Sequence, residues 1–238
     1  MNTSTPSSPQ QLLQLPLFPL QSVLFPGGLL PMNIFEVRYL DMIRRCHEAG
    51  QPFGVVCLSE GSEVRRRDTS AKTGSNDAPS GDGFAHEAFF PVGTLARIDD
   101  LQRPQPGLMV IRCVGTQRFR ILRSAQQKFG LWVGDVELIE PDAPVQVPID
   151  LAFTRAALQH VVSNIEHSLN QSPPQADGEM PLLQPYQWDD CGWLANRWCE
   201  MLPLNPALKH RFMALDSPLL RLELVADTLG QMGFALPG

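Results

Sequence analysis

The chain has 238 residues, of which 43% are hydrophobic and 18% are charged, the balance of an ordinary globular protein. A chain of this length forms one large domain or two small ones, and it buries enough surface to fold without a disulfide or a structural metal. The net charge of −6 opposes nonspecific attraction to nucleic-acid phosphates and anionic membranes, although it does not exclude a local basic patch.

The first segment, residues 1–11, consists mainly of Ser, Thr, Pro and Gln. This composition cannot bury enough apolar surface to offset the entropy of ordering, so we predict a disordered tail. The tail has no positive charge and no apolar core, and we therefore expect neither a signal nor a transit peptide. No apolar run approaches the roughly 20 residues of a membrane helix, so we expect a cytoplasmic protein without a membrane partner.

Residues 15–40 are rich in both apolar residues and proline, which excludes a linker and a single helix. Because proline lacks an N–H and favours extended geometry at the preceding residue, we predict short strands that break at Pro16, Pro19, Pro26 and Pro31. A tight turn at residues 26–28 and a strand over residues 29–34 follow. A helical period then begins, with the buried face formed by Phe35, Tyr39, Ile43 and Cys46.

The middle of the chain alternates apolar and polar residues and predicts further strands, at residues 53–58, 89–98, 108–114, 117–122 and 131–139. Residues 59–83 lack an apolar period and predict a long mobile loop. Its basic run, Arg65, Arg66 and Arg67, is typical of a solvated surface, with nucleic-acid contact as the alternative. About six strands and one helix joined by short turns predict a closed or nearly closed β-barrel over residues 12–140.

A proline-rich boundary at residues 140–148 precedes a helical region, which we place at residues 149–238. We expect Asp150 to cap a helix that runs to about residue 171, and Asp189 or Asp190 to cap the next. Asn205 and residues 216–218 open two more helices. The apolar stripes of these helices predict a bundle beside the barrel, and hence an α+β protein.

The segment LPLFPLQSVLFPGGLLPMNIFEVRYLDMI, residues 15–43, resembles the opening signature of the N-terminal substrate-binding domain of Lon proteases, LPLFPL…LFPG…LPL.IFE.RY. Residues 93–98, 115–121, 202–204 and 215–222 resemble later motifs of that family, so the resemblance covers residues 12–229. It implies a PUA-like β pseudobarrel with one helix, followed by a C-terminal α-helical bundle. In Lon proteases this domain recognises substrates, whereas separate ATPase and peptidase domains act on them. No counterpart of those domains follows in the sequence, so we expect no enzyme activity.

Motifs for catalysis and cofactor binding are absent from the sequence, including GxxxxGK[ST], GxSxG and HExxH. We therefore predict no catalytic residue, no cofactor and no metal site. The five cysteines are interpreted as reduced core thiols, with Cys46, which follows Arg44 and Arg45, as the alternative reactive thiol. His160 and His167 are interpreted as solvated, because a metal site needs a third ligand that the sequence does not indicate.

Two residue sets have both a structural and a functional interpretation. Glu36 and Arg38 lie in the signature. We interpret Glu36 as a carboxylate that stabilises the start of a helix and Arg38 as the partner of a nearby acid. The alternative is that both residues contact a ligand. Trp188, Trp193 and Trp198 are the second set. Steps of five residues do not keep side chains on one helix face, so we favour a bundle core over a peptide-anchoring patch.

These inferences predict a non-catalytic module that binds unfolded or extended polypeptide. We expect it to act as an adaptor for proteolysis or protein quality control, with a protease or chaperone as a further partner. A barrel with gaps between its strands offers edges and apolar grooves to such a chain. The alternative is RNA binding, because PUA-like barrels in other families bind RNA, although the acidic charge argues against a nucleic-acid partner. A small-molecule receptor is a third possibility. The sequence does not identify the peptide-binding face.

Overall fold

The computed structural model describes residues 10–61, 87–171 and 180–233. The first nine residues of the predicted tail lie outside the described residues. So do residues 62–83 of the predicted mobile loop, together with the basic run Arg65, Arg66 and Arg67.

In the described part of the chain, six strands form one sheet that closes on itself. They are β1 Gln11–Leu20, β2 Leu29–Ile34, β3 Phe53–Glu60, β4 Ala88–Gln105, β5 Leu108–Gln126 and β6 Trp132–Leu138. The strand order is β2-β5-β4-β3-β1-β6, and a further pairing of β5 with β6 closes a ring of five strands that excludes β2. Strands β1 and β3 are parallel, and the other neighbours are antiparallel.

Three of the four prolines that we expected to break the opening strands lie within strands. Pro16 pairs with β6 alone, Pro19 with β3 alone and Pro31 with β5 alone. A proline is tolerated in a strand where the side that lacks the N–H faces no partner, so each of these positions accepts it. The chain does turn at Pro26, as predicted: the Gly28 N–H donates to the Phe25 carbonyl at 2.9 Å, and Gly27 adopts a φ of 73°.

The remaining strands occur where the sequence predicts them, but β4 and β5 are longer. The residues between the predicted strands 89–98 and 108–114 are mostly strand as well, with the turn confined to the hairpin tip around Gly107. The two predicted strands 108–114 and 117–122 are one continuous strand. Arg118, a charged residue of the predicted strand 117–122, is buried. It is buried because its guanidinium donates to backbone carbonyls in the helical region.

Five α-helices accompany the sheet within the described ranges: α1 Val37–Ala49, α2 Ala152–Gln171, α3 Cys191–Met201, α4 Pro206–Met213 and α5 Pro218–Gln231. Helices α3, α4 and α5 begin where the sequence predicts. Asp190, rather than the alternative Asp189, accepts a backbone N–H as the N-cap of α3. Asn205 and Ser217 do the same for α4 and α5. Asp150 is not a cap, because a 3-10 turn, Ile149–Leu151, places it inside the helical segment after Pro148. Within the described parts of the chain, no helix is long and apolar enough to cross a membrane.

The apolar side chains form three clusters. One lies among strands of the barrel around Leu17, Val56 and Phe119, and a second joins α1 to β1, β2, β3 and β5. The third unites α2–α5 and includes Phe25 and Val92 from the strand region. Phe25 therefore packs with the helices, and its burial connects the opening turn to α2–α5.

Buried arginines fix the helices against the strands. Arg118 of β5 and Arg221 of α5 both pair with Asp142, at 3.0 and 2.6 Å, and Arg118 also donates to the carbonyls of Met213 and Leu215. Arg197 of α3 donates to the carbonyls of Pro26 and Gly27. Because the guanidinium groups are out of water, these partners are needed to offset the cost of desolvation.

We expect Phe25→Ala and Phe35→Ala to have different effects on folding. Phe25 is fully buried, so its truncation should lower the free energy of unfolding by about 3–5 kcal/mol. Our expectation of a buried Phe35 is wrong: the side chain is 57% exposed, because it precedes the first turn of α1. Phe35→Ala should change stability by about 0.5 kcal/mol or less. Equal losses in the free energy of unfolding of the two variants, measured by urea denaturation, would contradict this expectation.

Glu200 should make stability depend on pH. Its carboxylate bonds Arg197 and fills the space beside Gly28, where an added Cβ would lie 2.0 Å from Oε1. Burial raises the pKa of Glu200 from its ordinary value of 4.5 to about 7, against the opposing charges of Arg197 and Lys209. The folded state therefore holds this proton more tightly than the unfolded state. The protein loses stability as the pH rises through the window from 4.5 to about 7.

Glu200→Gln removes this titration. From the lower to the upper end of the window, the free energy of unfolding of the wild type should fall by roughly 3 kcal/mol relative to that of Glu200→Gln, as measured by urea denaturation. Glu223→Gln, at an exposed position of α5, is the matched control and should follow the wild type. A difference between wild type and Glu200→Gln that does not vary with pH would show that this carboxyl does not titrate as described.

Candidate functional site

The closed ring leaves a groove between two strand edges, which we call the edge groove. Among the described strands, β2 pairs only with β5, and residues 18–20 of β1 pair only with β3. A cavity of about 300 Å³ lies between them, lined by Phe18 and Leu20 from β1 and by residues 30–34 of β2. The main chains of both strands therefore border one open groove.

The edge groove has an apolar floor supported by α1. Tyr39 of α1 stacks on Phe18 with ring centroids 4.0 Å apart, and Phe18 also contacts Phe53. Ile34 and Leu20 are buried beside them, while Leu30 and Met32 are half-buried. Side chains that enter the groove would thus meet a surface that is already packed from behind.

A second cavity of about 940 Å³, the Phe129 pocket, lies between the start of α1 and residues 127–131. Its rim carries three large apolar side chains, with Phe35 57% exposed, Val37 81% and Phe129 88%. Phe35 and Glu36 line both the Phe129 pocket and the edge groove, so the two cavities are contiguous. Contiguous exposed apolar surface of this kind marks interaction sites in folded proteins.

Phe129 adopts a backbone conformation that its side chain does not favour, with φ 65° and ψ 9°. A residue with a Cβ pays about 1–2 kcal/mol for left-handed geometry. Hydrogen bonds hold this turn, from Gly130 N–H to the Gln127 carbonyl at 3.0 Å and from Gln127 N–H to the Leu131 carbonyl at 2.7 Å. Because the ring is 88% exposed, packing of the core does not account for this backbone conformation.

Arg38 connects the two walls of the Phe129 pocket. Its guanidinium donates to Glu36 at 3.0 Å on α1, to the Gly130 carbonyl at 2.8 Å beside Phe129, and to Glu87 at 3.5 Å. Glu87 in turn accepts from Trp132 Nε1 at 2.7 Å. The pairing of Arg38 with acids agrees with its structural interpretation, whereas the Glu36 side chain binds Arg38 and makes no hydrogen bond to the first-turn N–H groups of α1. Arg38 is buried, and it positions the aromatic rim rather than forming part of it.

Among the described residues, neither a reactive cysteine nor a metal-binding group is supported. All five cysteines are buried and free, and burial raises the pKa of Cys46, which opposes the reactive-thiol alternative. His160 and His167 are exposed on α2, where they contact Asn164 and Gln171. Across the ranges that the structure describes, no group of three or more His, Cys, Asp or Glu residues is arranged to hold a metal.

The three predicted core tryptophans are in two different environments. Trp198 is buried in the helical cluster and donates to the Thr154 carbonyl at 3.0 Å, as the core interpretation requires. Trp188 and Trp193 are only half-buried and contact each other and Tyr186. Both rings also pack against the helical core cluster, so the core interpretation holds for this pair in part, although Trp188 precedes α3 and does not lie on that helix.

Comparison with known proteins identifies the family. The model of the ATP-dependent protease La (LON) substrate-binding domain matches residues 14–231. The structure is similar to the crystal structure of a Lon N-terminal domain protein from Xanthomonas campestris, with a TM-score of 0.66 and 28% identity, over 91% of this chain and 98% of that chain.

The structure is also similar to the N-terminal domain of the Mycobacterium avium complex Lon protease, with a TM-score of 0.51 over 92% of this chain and 97% of that chain. At 16% identity this likeness concerns the fold alone. The matched residues include the edge groove, the Phe129 pocket and all five helices. The chain therefore belongs to the family of the Lon substrate-binding domain.

Proposed function

We propose that the protein binds extended segments of unfolded polypeptide and does not itself cleave them. The family supports a substrate-recognition module, and the region of similarity is the substrate-binding domain rather than a catalytic domain. The observation that carries the proposal is the edge groove, where two strand edges border an apolar cavity that continues into the Phe129 pocket.

The main chain of the bound segment lies along β2 in this proposal. An edge strand presents N–H and C=O groups that have no partner in the sheet, and an extended peptide satisfies them by adding a strand. Main-chain pairing does not depend on sequence, as a receptor for varied unfolded chains requires. Pro31 removes one N–H from this edge, so β2 offers more acceptors than donors along its free side.

Apolar side chains of the segment contact Phe35, Val37 and Phe129. Burial of apolar surface contributes about 25 cal/mol per Å², and this contribution does not weaken when salt screens charges. The rim also contains charged groups, but Asp41 already pairs with Arg44 and Arg45. Apolar contact is therefore the main source of affinity.

Further aspects of the function follow from the same proposal. We place the protein in the cytoplasm as an adaptor that presents unfolded chains to a separate protease or chaperone. We retain the PUA-like description of the barrel, with a β subdomain at residues 12–140 and a helical subdomain at residues 149–238. The closed ring with an open edge and the four helices that follow β6 support this description.

We expect the double variant Phe35→Ala and Phe129→Ala to bind unfolded protein at least about tenfold more weakly than the wild type, because two exposed aromatic contacts are lost. Binding is measured by fluorescence anisotropy of labelled, reduced and carboxymethylated α-lactalbumin. Ile149→Ala is the matched control, since Ile149 is an apolar side chain that is 92% exposed away from both cavities. Unchanged affinity in the double variant, or an equal loss in Ile149→Ala, would contradict the proposed site.

Salt dependence separates the polypeptide from RNA as the ligand. Affinity for the unfolded protein should persist at high salt, because it depends on apolar contact. Each phosphate contact to single-stranded RNA would instead add about 0.7 to the negative slope of log affinity against log salt. Tight RNA binding with a steep slope, which is lost when Arg65, Arg66 and Arg67 are replaced by alanine, would favour the RNA alternative.

A further inference from the structure

A third cavity, of about 460 Å³, lies where the strands meet the helices, and we call it the junction cavity. Its walls come from the opening turn, strands β4 and β5, the segment after β6 and helix α3. Among the described residues it shares none of its lining with the edge groove or the Phe129 pocket. Ligand pockets have volumes of about 300–1,000 Å³ and often lie between structural units, so the junction cavity has the size and position of a small-molecule site.

Asn196 of α3 presents an unused hydrogen-bond donor to the junction cavity. The residue is only 4% exposed. Its Oδ1 accepts from Arg221 Nη1 at 3.0 Å, and because a guanidinium only donates, this bond fixes which end of the amide is Nδ2. Nδ2 itself has no hydrogen-bond partner among the described residues. In those residues Arg197 Nε is the one side-chain nitrogen or oxygen that is both enclosed and unpartnered, so Nδ2 retains contact with the open space that Asn196 lines.

The charged groups around the junction cavity are already paired. Of its described lining residues, three are charged: Arg118, Asp142 and Asp190. Arg118 and Arg221 both bind Asp142, at 3.0 and 2.6 Å. The Asp190 carboxylate accepts from Trp193 N–H at 2.7 Å as the cap of α3. A charged ligand would therefore lose its hydration without gaining an unpaired counter-charge, whereas an uncharged ligand would not.

Asn196 Nδ2 requires an acceptor that the described residues do not supply. One water molecule occupies about 30 Å³ and needs about two to four polar partners, so the junction cavity is far larger than a site for one structural water. Its wall also has apolar portions, contributed by Pro26, Leu95, Pro141 and Trp193. A ligand oxygen that bonds Nδ2 would break no hydrogen bond within the protein, because none is made there.

We propose that the junction cavity binds a small, uncharged organic molecule that carries an amide, whose carbonyl oxygen accepts from Asn196 Nδ2. An amide oxygen is a strong acceptor without a charge, and the apolar body of the molecule contacts Leu95 and the two prolines. A carboxylate would meet the negative charges of Asp142 and Asp190 instead. This site is separate from the edge groove, so the proposal does not depend on polypeptide binding there.

Three probes of nearly the same shape test the proposal, because they differ in charge: benzamide is neutral, benzoate is negative and benzamidine is positive. The readout is the side-chain amide signal of Asn196 in a proton–nitrogen correlation spectrum. Benzamide should shift this signal saturably, with a dissociation constant of about 1 mM or lower, as for a fragment of its size. Benzoate and benzamidine should bind at least about tenfold more weakly. Nuclear Overhauser contacts from the benzamide ring to the Leu95 methyl groups and the Trp193 indole should place the probe in the junction cavity.

A matched pair of variants tests the role of the donor. Asn196→Asp keeps Oδ1 for Arg221 but replaces the donor with an acceptor, so the saturable shift of the Leu95 methyl signals by benzamide should be lost. Asn170→Asp, at an exposed position of α2, should bind benzamide as the wild type does. The indole signal of the buried Trp198 reports whether each variant is folded.

The proposal is overturned if benzamide causes no saturable shift in the wild type, or if benzoate or benzamidine binds as tightly as benzamide. It is also overturned if folded Asn196→Asp retains binding. Should Asn196→Asp not fold, the Overhauser contacts in the wild type decide: contacts to Leu95 and Trp193 support the site, and contacts confined to residues outside the junction cavity contradict it.

Discussion

Strand β5 pairs with three other strands, and these pairings determine where the barrel is closed and where it is open. Its first part lies between β2 and β4, whereas its later part pairs with β6 and completes the ring. Strand β2 is therefore left outside the ring with one free edge. Since β6 begins at Trp132, opposite Leu17, residues 18–20 of β1 also lack a second partner. The edge groove is thus a consequence of strand lengths and register.

The prolines of the opening segment fit this arrangement of edges. An unprotected edge strand is a template for uncontrolled pairing, and proline removes one of the donors that such pairing needs. Pro19 and Pro31 lie on the two strands that border the edge groove, and each pairs on one side only. Their carbonyls remain as acceptors. The edges can therefore accept hydrogen bonds from an added chain. They cannot form a regular β-ladder along their full length, because each proline lacks the N–H donor that such a ladder needs.

The sequence predicts the order and type of the elements well, because apolar periods and capping residues are local signals. It predicts three helix N-caps and the turn at Pro26 from such signals. It does not predict that Arg118 is buried against the Met213 carbonyl at the end of α4, since this contact joins elements that are distant in the chain. Nor does the helical period predict the exposed side chain of Phe35, which lies just before the first turn of α1. Phe129 has no local signal that distinguishes an exposed aromatic residue from a core one. Its left-handed backbone becomes evident only in the structure.

Arg38 shows why structural and functional roles need not exclude each other. It is buried, with its guanidinium in contact with two carboxylates and the carbonyl of Gly130. A buried charge retains its position only while these partners remain, because desolvation otherwise makes it costly. The Arg38 contacts therefore fix the distance between the start of α1 and residue 129. A side chain that is shielded from solvent thereby determines where the exposed rings of Phe35 and Phe129 lie around the pocket.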